Sequence, residues 1–406
     1  MERRVVITGL GIWSCLGTNL DEVRQSLYSG KSGIIFSQAR KDAGFRSALC
    51  ADVHKADLKK YLSRDLRKLM PEEAQYGYLA TIQAMEHAKL DQDFLDQNEV
   101  GVIYGNDSVA EATMTALDKF RQAGSTAACG SGAIFQSMNS TVTMNLATLL
   151  HLRGINLTAS AACASGSHSV GLSYLLIKDG LQDCIICGGA QEANMFSVAS
   201  FDGLMAFSTR EDEPTKASRP FDRDRDGLIP GGGAATLVLE SYEHAVKRGA
   251  PILAEIVGWG FSGNGDHIST PNVAGPTRSL ELCLKNGGIN PRDIGYINAH
   301  ATSTHAGDGR EALAIANIFG DYRVPVTSTK SQTGHEMWMA GASELIYSIL
   351  MMKNDFIGGS LNFENPDEDT ACINVIPETR EAHFDMFLSN SFGFGGTNSS
   401  LIIKNL

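Results

Sequence analysis

One cysteine, two histidines and one lysine carry most of the nucleophilic and proton-transferring chemistry that this sequence offers. Cys163 stands in Ser160-Ala-Ala-Cys-Ala-Ser-Gly-Ser-His168, small residues on both sides, where a strand hands over to a helix. A thiol there is reachable. The positive end of a helix favours thiolate over thiol, lowering the pKa, and its free N–H groups suit a developing oxyanion. The competing reading is a small buried cysteine, the commoner fate of a lone one. Two further segments, Asn298-Ala-His-Ala-Thr-Ser-Thr-His-Ala-Gly-Asp308 and Lys330-Ser-Gln-Thr-Gly-His335, put His300 and His335 among hydroxyls and glycines at the ends of apolar strands, with Glu344 nine residues on. A lone histidine beside a strand is most often structural; two of them, with Cys163 and Lys330 at matching corners, weaken that reading. His168 and His305 read as packing or loop residues. The loop Ser389-Asn-Ser-Phe-Gly-Phe-Gly-Gly-Thr-Asn398 lacks the spacing of a phosphate cradle. It reads as an aromatic hinge over an apolar pocket, with glycines permitting Phe392 and Phe394 to move.

The elements that must hold these groups repeat. Arg4–Ile12 is an almost wholly apolar run, as expected of a strand covered on both faces, and Ala254–Phe261 follows the same plan. Asn156–Ser160 leads to Cys163 as Pro325–Thr329 leads to Lys330. Helical segments follow at Gly166–Ile177 and Gly341–Met352, and Cys184–Gly189 pairs with Met386–Asn390. This predicts two related halves, residues 1–250 with the cysteine and 251–406 with the two histidines, sharing a rigid interface. Residues 30–97 read as a long insertion with helical periodicity. Cys184 and Cys187 lie in an apolar run without a second Cys/His pair at zinc spacing, so they read as buried strand cysteines, and no metal is expected.

Composition narrows the function classes. The 406 residues are enough for a large core. A net charge of −12 disfavours nucleic-acid binding. The longest apolar run, Leu345–Met352, is too short for a membrane helix, which needs about 18 residues. The opening residues read as a strand rather than a secretory signal, so export is not expected, and single scattered cysteines fit a reducing cytoplasm.

Cys163 in its Ala-Cys-Ala-Ser-Gly setting, His300 with Thr302-Ser-Thr304, Lys330 with Thr333-Gly-His335, and Gly393-Phe-Gly-Gly-Thr-Asn398 together resemble the elongating β-ketoacyl-acyl carrier protein synthases, the type I/II ketosynthases. The resemblance runs the whole length and includes Phe201–Ser208 and Ala217–Gly227. It implies an α/β thiolase fold, two similar halves in a layered α-β-α-β-α arrangement, assembled as a homodimer or with a related partner. It implies that Cys163 takes an acyl chain from acyl carrier protein, that His300 and His335 assist decarboxylation of a malonyl unit on a second carrier protein, and that the chain grows by two carbons without a cofactor. Lys330 would be an organiser with Glu344 as its ionic partner. The backbone N–H groups of Cys163 and Phe394 would form the oxyanion hole, with Phe394 as the gate beside Phe392.

The sequence also departs from that pattern. Ala301 and His305 replace the usual glycine and proline, and Glu336-Met-Trp-Met follows His335 where small residues are usual. Trp338 either fills core behind the site or lines an acyl pocket together with Phe201, Phe207 and Met339. Lys59, Lys60, Arg64, Arg67 and Lys68 belong to a run, Lys55–Lys68, that nets +4. It is either a solvated face or a docking patch for an acidic carrier protein beside the tunnel. The alternative function is a non-condensing, carrier-binding partner subunit resembling a chain-length factor, against which the presence of Cys163 speaks.

Overall fold

The apolar run Val5–Trp13 forms strand β1, buried along both faces until its last residue, and such a strand needs a helical layer on each side. The computed structural model describes residues 3–406. After β1, the principal elements of the first half are α1 (Glu72–Ala88), β2 (Val100–Gly105), α2 (Thr141–Leu149) and β3 (Asn156–Ala159). They are followed by α3 (Ser165–Lys178), β4 (Cys184–Gln191) and β5 (Gly233–Ser241). The second half runs β6 (Ala254–Gly263), α4 (Ala274–Gly287), β7 (Tyr296–Asn298), α5 (His305–Phe319) and β8 (Pro325–Thr327). It ends with α6 (Ala340–Lys353), a short β9 (Asn374–Val375), β10 (Met386–Gly393) and β11 (Thr397–Asn405).

The strands lie in the order β3-β2-β4-β5-β1-β6-β11-β10-β7-β8-β9. Outward from the middle, each half therefore uses its first, fifth, fourth, second and third strand, with β9 added at one edge. The halves meet where Val5–Ile7 pairs antiparallel with Ala254–Ile256. The three internal echoes of the sequence, β1 with β6, β3 with β8 and β4 with β10, occupy equivalent places.

Helices make the arrangement five-layered. Ala80, Ala84 and Val142 of α1 and α2 pack on Val102 and Ile186 on one outer face. Leu280 and Ile315 of α4 and α5 cover Ile297 and Leu388 on the other. Between the halves, Val170 and Ile177 of α3 and Leu345 and Ile349 of α6 pack against Ile7 and Ile185 from one half and Phe387 and Leu401 from the other. The expected α-β-α-β-α layering is thus present. The supposed insertion over residues 30–97 is only partly one, because α1 inside it is an outer-layer core helix whose alanines touch the sheet.

Candidate active site

The loop after β3 reverses through Ala162, whose φ of 46° is unfavourable for a residue with a Cβ. Ser165 holds it there: its Oγ accepts from the Ala161 N–H (2.8 Å) and donates to the Ala162 carbonyl (2.6 Å). Cys163 consequently sits on a single 3-10 turn, Ala162–Ala164, leading into α3. It is 6% exposed. Burial pushes its thiol up to about 12, opposed by the Lys330 ammonium and by the backbone N–H groups of Phe394 and of Cys163 itself. This corrects the expectation of a lowered thiol pKa, because desolvation in the apolar surroundings outweighs the positive end of the helix.

His300 follows β7 and is positioned by a residue that sequence reasoning missed. Glu311, on the buried face of α5, accepts the His300 backbone N–H at Oε1 (2.9 Å), the Ala301 N–H at Oε2 (2.7 Å) and the Asn390 amide at Oε1 (3.0 Å). Burial lifts the Glu311 carboxyl to about 7 against these three donors. A signal was present: an acid standing one turn from Ile315 on the helix's apolar stripe.

His335 is fixed from the other side. Its backbone N–H donates to the Ile229 carbonyl (2.6 Å), and its Nδ1 accepts from the Met337 N–H at 3.3 Å. Its proton therefore belongs on Nε2, which is buried and has no protein partner. The two imidazoles stand nearly perpendicular, centroids 5.2 Å apart at 84°, and Phe392 lies 5.9 Å from His300. Burial first, then the Lys330 charge, holds both histidines well below their ordinary range. They are neutral at pH 7. Lys330 donates from Nζ to Glu344 Oε1, and both side chains are 2% exposed. Burial raises the Glu344 carboxyl to about 7 while the ammonium pulls it down.

A cavity of about 320 Å³ opens from Cys163, His300, His335, Phe392 and Phe394 towards Thr302, Thr304 and Asn272. The structure thus brings the cysteine, both histidines and both loop phenylalanines to one space, with the Lys330–Glu344 pair buried behind. Phe207 and Trp338 pack around the cysteine together with Phe201, which also lines the cavity. Met339 does not join them: it belongs to the central core with Leu345 and Ala235, because successive residues of its tight turn face different layers. Lys59, Arg64, Arg67 and Lys68 line a separate surface groove that shares no residue with the cysteine cavity, and Lys60 is exposed close by. His168 donates to or accepts from Thr397 Oγ1 at 2.9 Å and packs on Trp259, a packing role. Cys184 and Cys187 are free and buried in β4. Among the described residues, no group of three or more His, Cys, Asp or Glu could hold a metal ion, and no helix is long and apolar enough to cross a membrane.

Comparison with known proteins identifies the family. Residues 2–245 match the family model for the N-terminal domain of beta-ketoacyl synthase, and residues 253–364 match that for its C-terminal domain. The chain is 41% identical over 405 residues to a 3-oxoacyl-[acyl-carrier-protein] synthase 1 from Haemophilus influenzae, covering 99% of both chains. It is 39% identical to the protein of that name from Escherichia coli K12, covering 100% of this chain and 99% of that one. A crystal structure of a beta-ketoacyl synthase from Burkholderia phymatum superposes over 100% of both chains, with a TM-score of 0.95 and 36% identity. Matched along nearly its whole length in both sequence and fold, the chain belongs to the β-ketoacyl synthase family.

Proposed function

We propose that this chain catalyses the decarboxylative Claisen condensation of an acyl group on Cys163 with malonyl-acyl carrier protein, lengthening a fatty-acid or polyketide-type chain by two carbons. The observation that carries the proposal is the convergence of one buried thiol and two neutral imidazoles on a single cavity. In the first half-reaction the Cys163 sulfur attacks the incoming thioester, and the carrier leaves as a thiol that carries away the cysteine's proton. The N–H groups of Cys163 and Phe394, both close enough to act on the sulfur, are the donors for the tetrahedral oxyanion. In the second, loss of CO2 leaves an enolate on the malonyl thioester. Its negative oxygen accepts from the Nε2–H of His335 and from His300, donors that do most for a charge absent from the ground state. The enolate carbon attacks the acyl-cysteine, the sulfur leaves as thiolate, and a proton taken up from solvent restores the neutral thiol.

Several further readings go with this one. Residues 1–250 and 251–406 are its two pseudo-repeated halves, contributing the nucleophile and the histidines respectively. A second copy of the chain is supported by the half-open edge strand β3 and by exposed Met114, Leu117, Phe120, Phe135, Met138 and Leu157. The acidic chain with eight free cysteines fits the cytoplasm. The basic run Lys55–Lys68 is the docking surface for acidic carrier protein. Mass spectrometry after incubation with acyl-carrier protein tests the central claim. An acyl adduct that disappears in Cys163→Ala supports condensation; a wild-type chain without an adduct would be the non-condensing partner subunit instead.

A further inference from the structure

Beyond the sulfur, the cavity stops. Its lining includes Phe201 and Leu228, but Phe207, Met337 and Trp338, which pack around the same cysteine, do not border it. They form a solid apolar cluster. Phe201 is stacked between Phe207 (6.4 Å, 12°) and Phe394 (6.1 Å, 16°), and the Trp338 ring leans on it at 6.3 Å. The indole is 6% exposed, and its Nε1–H is buried with no acceptor. Buried indoles ordinarily pair that hydrogen, so the contribution of Trp338 here is volume rather than a polar contact.

The backbone under this indole has little room to retreat. A Cβ at Gly189 of β4 would stand 2.6 Å from the Trp338 carbonyl oxygen, and one at Gly166 of α3 would stand 2.9 Å from it. Both glycines permit a close approach that wedges the Met337–Met339 turn between a strand and a helix. Met339 already fills the central layer behind it. An interior packed at crystal-like density has no space for a methylene chain unless a side chain moves.

We propose that Trp338 sets the upper limit on acyl length, occupying the volume into which a long chain on Cys163 would extend, so that the enzyme loads short acyl thioesters and discriminates against medium and long ones. This rests on the condensing reading above and specifies its substrate class.

The test is self-acylation of Cys163 by a series of N-acetylcysteamine thioesters from acetyl to decanoyl, followed by intact-protein mass spectrometry. In the wild-type protein the loading rate should fall at least tenfold between butyryl and octanoyl. In Trp338→Ala the octanoyl-to-acetyl ratio should rise at least tenfold, since a pocket commonly distinguishes single methylenes by about 10-fold or more. Trp338→Leu, which removes less volume, should move the ratio the same way by less and covers the case in which the alanine variant fails to fold. Equal loading of acetyl and octanoyl by wild-type protein overturns the proposal, as does an unchanged ratio in the folded variants. An adduct with a flat length profile sinks this inference alone, whereas no adduct from any thioester sinks it together with the condensing reading.

Discussion

Replacing Lys330 by methionine isolates what a buried ammonium does for the rest of the site. In the folded protein its charge acts on several buried groups, in three ways. It helps to hold His300 and His335 in their neutral forms, it opposes the burial that raises the Cys163 thiol, and it pulls down the Glu344 carboxyl. A single charge within about 4–6 Å moves a pKa by about 1–3 units. Removing a positive charge removes a penalty on each imidazolium, so both histidine pKa values rise. The acid limb of malonyl decarboxylation, which requires neutral imidazoles, should therefore move to higher pH by about one unit or more in Lys330→Met. Acyl loading should slow at all pH values, because the thiol loses one of the groups that favour its anion. Stability carries a second signature. Removing one member of a buried ion pair costs about 3–5 kcal/mol, whereas replacing both by apolar groups is often neutral. Glu344, deprived of the ammonium, is held protonated to a higher pH. Its folded pKa then lies further above the unfolded one, so the stability tied to its neutral form is intact in acid and is lost as pH rises through the folded value. The Tm deficit of Lys330→Met should thus be smaller at about pH 5.5 than at about pH 8.5, and the double variant with Glu344→Leu should recover most of it. A pH–rate profile of decarboxylation with unchanged shape and a uniformly lower plateau would refute this account of Lys330.

Glu311→Gln tests the positioning of His300. The amide keeps one acceptor but turns an NH2 towards a backbone N–H that is now unpaired, a loss of about 1–3 kcal/mol of stability by thermal melting. Because a displacement of about 1 Å can cost about 100-fold, decarboxylation should fall by one to two orders of magnitude while acylation of Cys163 changes little; equal losses in both would make Glu311 merely structural. Reversing the charge of Lys59, Lys60 and Arg64 to glutamate should raise the apparent KM for carrier protein at least several-fold, more at low salt than at high, and spare a small thioester. Equal effects on both substrates would count against docking at that groove.

The fold was legible in the sequence because its signals were periodic and duplicated. Two apolar first strands and two strand-to-helix corners, at Cys163 and Lys330, mark equivalent places in the two halves, and the strand order places them so. The identity of the site residues was legible because each stands among glycines and hydroxyls at the end of an element. What could not be read depends on burial, a property of the assembled layers. The Cys163 thiol was expected low and stands high because apolar residues from distant segments, Val198, Phe207 and Leu228, enclose it. Glu311 stands out in the sequence only as an acid on an apolar stripe, and its role shows once two backbone N–H groups are seen to converge on its carboxylate. Met339 and Trp338 are adjacent in sequence, yet a 3-10 turn sends one into the central core and the other to the cysteine.

The high thiol and the low histidines have one origin and serve one cycle. Desolvation penalises every charge in this cavity, so its resting state is neutral: thiol, imidazole and imidazole. Such a site is poor at holding a static anion and well suited to transient ones, because fixed dipoles act strongly where water is excluded. In the proposed cycle both half-reactions pass through such transients, an oxyanion beside the cysteine and an enolate beside the histidines. In that cycle the Lys330 charge would favour each developing anion, and it opposes the imidazolium that would quench an enolate by protonating it. Its partner Glu344 lies on α6 while Lys330 follows β8, so the packing of the central helix layer fixes where that charge sits. A perturbation of the α3–α6 contact far from the cavity should therefore alter the pH profile of decarboxylation before it alters acyl loading, since the nucleophile keeps its own N–H donors whereas the histidines depend on the ammonium for part of their neutrality.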